Sequence, residues 1–134
     1  MNNKILVIDD DKEILFSMSA ICEISGWTPI TALNVKDGIN KFNIHEPDIV
    51  LIDYHMPVLN GIEGVKRLRK IDPNVPIIVL TVEENQEIAD KFLEVGANDF
   101  ALKPVKAPDI IARIKVHLKI KESIDTSQIK EENH

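Results

Sequence analysis

Positions 49–52 hold four consecutive apolar residues that run directly into a single carboxylate, Asp53. A stretch this short and this continuously apolar is typical of a strand buried on both faces, as in a parallel sheet. Ligands of open α/β sheets bind beyond the carboxyl ends of the strands. We therefore predict that Asp53 faces a functional site, and that the proline, asparagine and glycine that follow it form a loop.

Five short apolar runs of this kind alternate with five segments whose apolar residues recur at helical spacing. Strands that alternate with helices predict a parallel sheet covered on both faces, with right-handed crossovers. Pro29 favours an edge position for the second run, because proline cannot donate to a ladder. We predict an α/β, flavodoxin-like (βα)5 doubly wound sheet with strand order 2-1-3-4-5. The runs are 5–8, 28–32, 49–52, 77–80 and 100–102.

The bulk properties of the 134 residues indicate one ordinary globular domain. The apolar pattern thins after residue 121, which predicts one domain over 1–121 and a polar tail or beginning of a linker over 122–134. A net charge of −6 argues against a nucleic-acid surface. One cysteine, and no apolar run near the roughly 20 residues of a membrane helix, lead us to expect a cytoplasmic protein.

Polar side chains stand at the carboxyl ends of four predicted strands. Asp9 and Asp10 follow the first strand, Asp53 ends the third, Thr81 the fourth and Lys103 the fifth. Three carboxylates placed together repel each other, and a cation relieves that repulsion. Because the set offers oxygen ligands and no histidine or cysteine at ligand spacing, it favours a hard cation such as Mg²⁺.

Each of these residues also has a purely structural interpretation when it is taken alone. The acids at 9–11 suit a helix N-cap, Asp53 suits a turn and Thr81 suits a strand. A lysine before a proline, such as Lys103, is usually a solvated loop cation. Their joint placement at four strand ends favours a site. A carboxylate beside Mg²⁺ can attack a phosphoryl group to give an acyl phosphate, which the lysine and the threonine hydroxyl would stabilise.

The acids, threonine and lysine at the strand ends, in their order along the chain, resemble those of the receiver domain of bacterial two-component response regulators. The resemblance covers about residues 3 to 121. The resemblance implies a signalling domain, not an enzyme with its own substrate, and a partner sensor histidine kinase. The matching pieces are Ile8-Asp9-Asp10-Asp11, Asp53-Tyr54-His55-Met56-Pro57 with Asn60-Gly61, Thr81, and Gly96-Ala97-Asn98-Asp99-Phe100 running into Lys103-Pro104.

The resemblance also assigns roles to residues of the edge. It makes Asp53 the phosphoacceptor and a metal ligand. Asp10 binds Mg²⁺ directly, with Mn²⁺ as an alternative ion, and Asp9 binds it partly through water. The backbone carbonyl of His55 is a further ligand. Lys103 pairs with the phosphoacceptor and then with the phosphoryl oxygens.

A switch and a partner surface follow from the same resemblance. Thr81 and Phe100 form the switch pair, which changes the face made by the fourth helix, fifth strand and fifth helix, and the peptide bond before Pro104 is expected to be cis. Family members use that face for dimers or partners. Asp99 and Arg113 lie where some transcription-factor receivers make ion pairs between subunits, so we expect a homodimer there.

Two residues, Val82 and Phe100, depart from the family pattern near the site. Val82 replaces a usually small residue, and we predict that it slows autodephosphorylation. His55 and Glu83 flank the expected water path and also tune that rate. Phe100 replaces the commoner tyrosine, so its ring has no hydroxyl to donate.

Other functions remain open at this stage. A metal-dependent phosphohydrolase could use the same acids, although such enzymes want a second acid where His55 stands. A pseudo-receiver would bind partners without phosphorylation, but the complete acid, threonine and lysine set argues against it. The output is either transcription, through a DNA-binding domain that 134 residues do not accommodate, or protein docking by a stand-alone regulator.

Overall fold

The computed structural model describes residues 2–132, with side chains described up to residue 125. Five strands and five helices alternate along the chain. The strands are β1 (Lys4–Ile8), β2 (Thr28–Ala32), β3 (Ile49–Asp53), β4 (Ile77–Thr81) and β5 (Asp99–Leu102). The helices are α1 (Lys12–Ile24), α2 (Val35–His45), α3 (Gly61–Ile71), α4 (Gln86–Glu94) and α5 (Ala107–Glu132).

The strands form one parallel sheet in the order β2-β1-β3-β4-β5. The predicted fold class and strand order are therefore confirmed. β2 lies at one edge, where its Pro29 pairs with Ile5 of β1. β3 and β4 are buried along their whole length, which explains why their sequences are continuously apolar and do not alternate.

Alternate residues of each strand point into two separate cores. One core lies under α2, α3 and α4, and the other lies under α1 and α5. Cys22 of α1 is fully buried in the second core. Burial raises the pKa of its thiol to about 11, so it is a packing residue that stays protonated near neutral pH.

Side-chain caps begin four of the helices just after the strands end. Asp11, Asn34, Asn60 and Asn85 each accept a hydrogen bond from a backbone N–H in the first turn. Three of these caps, before α1, α3 and α4, lie at the carboxyl edge of the sheet next to residues of the predicted site. The helices therefore start at fixed points, and the loops between strand and helix stay short.

Helix α5 continues well past the point where the apolar pattern thins. It runs to Glu132, through most of the segment 122–134 that the sequence suggests is a tail or linker. Lys121 forms ion pairs with Asp48, at 3.7 Å, and with Asp125, at 3.5 Å. Residues 133 and 134 lie outside the described part of the chain. The domain boundary at 121 stays a prediction. Within the described residues, no helix is both long and apolar enough to span a membrane.

Candidate phosphoacceptor and metal site

Three side chains from three strand ends meet at the carboxyl edge of the sheet. The Nζ atom of Lys103, which follows β5, lies 2.9 Å from Oδ1 of Asp53 and 3.1 Å from Oδ2 of Asp9. The Asp9 side chain is fully buried, Asp53 is 3% exposed and the lysine is 16% exposed. One ammonium thus bridges two carboxylates that are almost shielded from water.

One ammonium beside two carboxylates leaves one negative charge uncompensated. Burial raises the pKa of Asp9 above its ordinary value, and the charge of Asp53 adds to the rise. Hydrogen bonds from Asp11 and Lys103 oppose it without cancelling it. Burial lowers the pKa of Lys103, but its contacts with the two aspartates outweigh burial and raise it overall. Keeping both carboxylates ionised therefore costs free energy that a second cation would reduce.

The acids fit a divalent cation. Carboxylate oxygens of Asp9, Asp10 and Asp53 all lie within 4.8 Å of one another. Asp10 is exposed while the other two are buried, so the cluster opens to solvent on one side. An all-oxygen set with one open side matches Mg²⁺, which keeps several waters, and Mn²⁺ accepts the same ligand types.

Thr81 ends β4 beside this cluster and is fully buried. Its backbone carbonyl accepts a hydrogen bond of 2.8 Å from the N–H of Lys103, which fixes the two residues relative to each other. Its Oγ1 accepts a 3.0 Å hydrogen bond from the N–H of Glu83. Because that contact uses an acceptor lone pair, the hydroxyl proton remains available for an incoming oxygen.

The loop between β3 and α3 is tightly placed under the cluster. A Cβ atom on Gly61 would lie 2.6 Å from the carbonyl oxygen of Asp53, so only glycine allows α3 to start here. Val58 in the same loop has φ of 70° and is fully exposed. A β-branched residue in the left-handed region is strained.

Comparison with known proteins identifies the family. A family model described as the response regulator receiver domain matches residues 5–115. The chain belongs to that family. The solved receiver domain of Francisella response regulator 1452 is 33% identical, with a TM-score of 0.83, and the match covers 88% of this chain and 98% of that one. A CheY-like receiver domain from Methanospirillum hungatei is 28% identical, with a TM-score of 0.87, over 92% of this chain and 98% of that one.

Two curated relatives contain the receiver domain within a longer chain. Transcriptional regulatory protein PrrA of Mycobacterium bovis is 33% identical over 124 residues, covering 92% of this chain and 53% of its own length. The alkaline phosphatase synthesis transcriptional regulatory protein PhoP of Bacillus subtilis is 35% identical over 119 residues, covering 89% of this chain and 50% of its own length. The chain spans about half the length of the curated relatives it matches.

At the mouth of the receiver site, two loops contact each other through their side chains. Nε2 of His55 lies 3.6 Å from Oε1 of Glu83, and both side chains are partly exposed. The N–H of His55 also donates to Oδ1 of Asp53 at 3.3 Å. Val82 beside them is 62% exposed. Val82 thus shares one rim with His55 and Glu83, the two residues expected to tune the same dephosphorylation rate.

The α4-β5-α5 face of the receiver domain carries an ion-pair cluster that the sequence patterns indicated only in part. Asp99 accepts from Nη1 of Arg113 at 2.7 Å and contacts Nε2 of His117 at 3.1 Å, all within one chain. Arg113 also pairs with Asp109 at 3.1 Å. Sequence analysis missed the role of His117, although its spacing of four residues from Arg113 places both on one side of α5.

Phe100 of the predicted switch pair is partly buried beside this cluster, and its N–H donates to Oδ1 of Asp99. The peptide bond between Lys103 and Pro104 is cis. The candidate metal and phosphoryl residues thus lie at one edge of the receiver domain, and Phe100 lies on the adjoining α4-β5-α5 face.

Proposed function

We propose that Asp53 accepts a phosphoryl group from a partner histidine kinase and that its phosphorylation changes the α4-β5-α5 face. A carboxylate oxygen attacks the phosphorus of the phosphohistidine, the P–N bond breaks, and an acyl phosphate forms as the imidazole leaves. The observation that carries the proposal is the Lys103 ammonium, which lies 2.9 Å from Asp53 and 3.1 Å from Asp9.

Two residues of the chain are placed to stabilise the transferred group. Lys103 already contacts the nucleophile, so it remains beside the phosphoryl oxygens after transfer. Thr81 offers its hydroxyl proton, since Oγ1 is engaged only as an acceptor in the described contacts. Bound at Asp9, Asp10, Asp53 and the His55 carbonyl, Mg²⁺ or Mn²⁺ would supply positive charge to the same oxygens.

Mass spectrometry after incubation with acetyl phosphate tests this assignment. We expect one added phosphoryl group on the wild type in the presence of Mg²⁺, none with EDTA and none on Asp53→Asn. An adduct on Asp53→Asn, or metal-independent labelling, would contradict it. A chain that takes no group from acetyl phosphate or from any histidine kinase would be a pseudo-receiver. Steady turnover of a small phosphomonoester would indicate a phosphohydrolase instead.

The lifetime of the phosphorylated form is set, in this proposal, by the rim residues. Val82 places a branched side chain beside the path by which water reaches the acyl phosphate, and the contact between His55 and Glu83 spans that path. We expect Val82→Ala to shorten the half-life. A half-life in the wild type no longer than that of Val82→Ala would overturn the assignment.

The output we infer is control of transcription, because PrrA and PhoP both carry the name transcriptional regulatory protein. The receiver would act through the α4-β5-α5 face, either by pairing with a second copy or by docking to another protein. Sedimentation of the phosphorylated and unphosphorylated forms separates these outcomes. The same proposal includes the cytoplasmic location expected from the sequence.

A further inference from the structure

Three aromatic rings contact one another in series between the site loop and β5. Tyr54, which directly follows Asp53, meets Phe92 of α4 with ring centroids 5.2 Å apart and planes at 65°. Phe92 in turn meets Phe100 with centroids 6.4 Å apart and planes at 53°. The series thus connects the neighbour of the phosphoacceptor to a residue on the α4-β5-α5 face.

The middle ring is fully buried, and the outer two lie at the border of the core. Phe92 is 1% exposed and belongs to the core under α2, α3 and α4, while Tyr54 and Phe100 are partly buried against that core. Protein interiors are packed densely enough that a ring cannot move without displacing its neighbours. A displacement of the Tyr54 ring therefore shifts the Phe92 ring, and Phe100, which has more room, must adjust to that shift.

The backbone of Tyr54 is held on both sides of its ring. Its N–H donates to the carbonyl of Leu80 in β4 at 2.9 Å, and its carbonyl accepts from the N–H of Gly61 at 3.0 Å. A displacement of the Asp53 loop therefore moves the Tyr54 ring with it. At the other end, Phe100 pairs with Val79 in the sheet, so its backbone is also fixed and its side chain is the movable part.

From this arrangement we propose that Phe92 is a positioning residue that couples the Asp53 loop to the orientation of Phe100. Tyr54 sets the position of the Phe92 ring, and that ring provides the surface against which Phe100 packs. This route is additional to the Thr81 hydroxyl and rests on the proposed phosphorylation of Asp53. A coupling element must have two arrangements that both sites bias, and the Phe100 side chain is that element.

Fluorine NMR of protein labelled with 4-fluorophenylalanine measures the coupling, because the chain has only four phenylalanines. Phe100→Leu assigns the Phe100 resonance, and Mg²⁺ with beryllofluoride mimics the phosphorylated state. We expect the Phe100 resonance to move on activation in the wild type and by less than half as much in Phe92→Leu. Phe42→Leu is the matched control, since Phe42 lies in the same core, is 5% exposed and makes none of the described ring contacts.

The order of the rings gives a second, sharper test. Tyr54→Leu removes the first contact from the partly exposed end, so it remains informative if Phe92→Leu does not fold. If the rings act in series, Tyr54→Leu and Phe92→Leu should reduce the Phe100 response by the same amount. The double variant should reduce it no further. Three results would overturn the proposal. They are reductions of the Phe100 response that add in the double variant, a full Phe100 response in Phe92→Leu, and an equal reduction in Phe42→Leu.

Mass spectrometry on the same samples, after acetyl phosphate, separates this proposal from the one on which it rests. If Phe92→Leu is phosphorylated on Asp53 like the wild type but lacks the Phe100 response, the variant has lost only the coupling. No phosphoryl group on the wild type, from acetyl phosphate or from a histidine kinase, would reject the proposed function and the coupling together. A purely structural role for Phe92 would lower the stability of both states equally and leave the Phe100 response unchanged.

Discussion

Lys103 contacts Asp53 and Asp9 with the same Nζ atom, at 2.9 Å and 3.1 Å. The ammonium therefore serves two functions before any phosphoryl group arrives. It holds the Asp53 carboxylate in place, and it offsets part of the repulsion between two buried carboxylates. Loss of this one side chain should affect both folding and phosphorylation.

Replacing Lys103 by methionine should lower the free energy of unfolding by about 3 kcal/mol, because two buried carboxylates lose their shared cation. Urea unfolding in EDTA at neutral pH measures the change, with Lys106→Met, an exposed neighbour, as the control. The pKa of Lys103 is raised in the folded state, so its contribution is complete below the ordinary value of 10.5 and is lost as pH rises through the folded value. Equal stabilities for the two variants would contradict the prediction.

The pKa of Asp9 is also raised, but for an acid the consequence has the opposite sign. Between 3.8, the ordinary value, and the higher folded value, the native state binds more protons than the unfolded state, so stability falls as pH rises. In EDTA, the stability of Asp9→Asn relative to the wild type should therefore increase with pH across that window and then level off. A stability difference between the two proteins that does not change with pH would show that the pKa of Asp9 is not raised in the folded state.

Val58→Gly should stabilise the protein by roughly 0.5–1 kcal/mol, because glycine adopts φ of 70° without the strain of a β-branched residue. The valine side chain is fully exposed, so its removal costs no buried contact. Thermal or urea unfolding measures the gain. Val82→Gly, in an exposed loop at the same edge but outside the left-handed region, should instead lose stability. A loss of stability in both variants would contradict the backbone strain at Val58.

Gly61→Ala should damage the site through the backbone alone. The added Cβ would lie 2.6 Å from the carbonyl oxygen of Asp53, so the backbone of Asp53 or the start of α3 must shift. We expect a loss of about 2 kcal/mol in stability and a phosphorylation rate by acetyl phosphate that falls by about tenfold or more. Gly26→Ala is the control, since it has φ of 84° and open space around it. It should lose stability by about 1 kcal/mol and keep the rate. An unchanged rate in Gly61→Ala would contradict the close approach.

Much of the fold and the acidic site follows from local sequence patterns. Continuous apolar runs fix buried parallel strands, and parallel strands bring their carboxyl ends to one edge. That geometry alone predicts that Asp9, Asp53 and Lys103 converge. The pairing of Lys103 with Asp53 is implied by the family resemblance, and its contact with Asp9 is not predicted.

Other features depend on contacts that no sequence pattern encodes. The polar residues after position 121 suit a linker as well as an exposed helix, and only ion pairs such as that between Lys121 and Asp125 distinguish the two. The pairing of Asp99 with Arg113 within one chain depends on how α5 lies on β5. The contact of Tyr54 with Phe92 joins a loop to a helix 38 positions later along the chain.

The length of α5 has a mechanical consequence. At 1.5 Å per residue, its 26 residues form a rod of about 39 Å, anchored beside Lys103 at one end and projecting past the sheet at the other. A tilt of about 5° at Ala107 would swing Glu132 by about 3 Å. In a helix this long, a small rotation at the Lys103 end therefore corresponds to a displacement at the last turn that is about as long as a hydrogen bond.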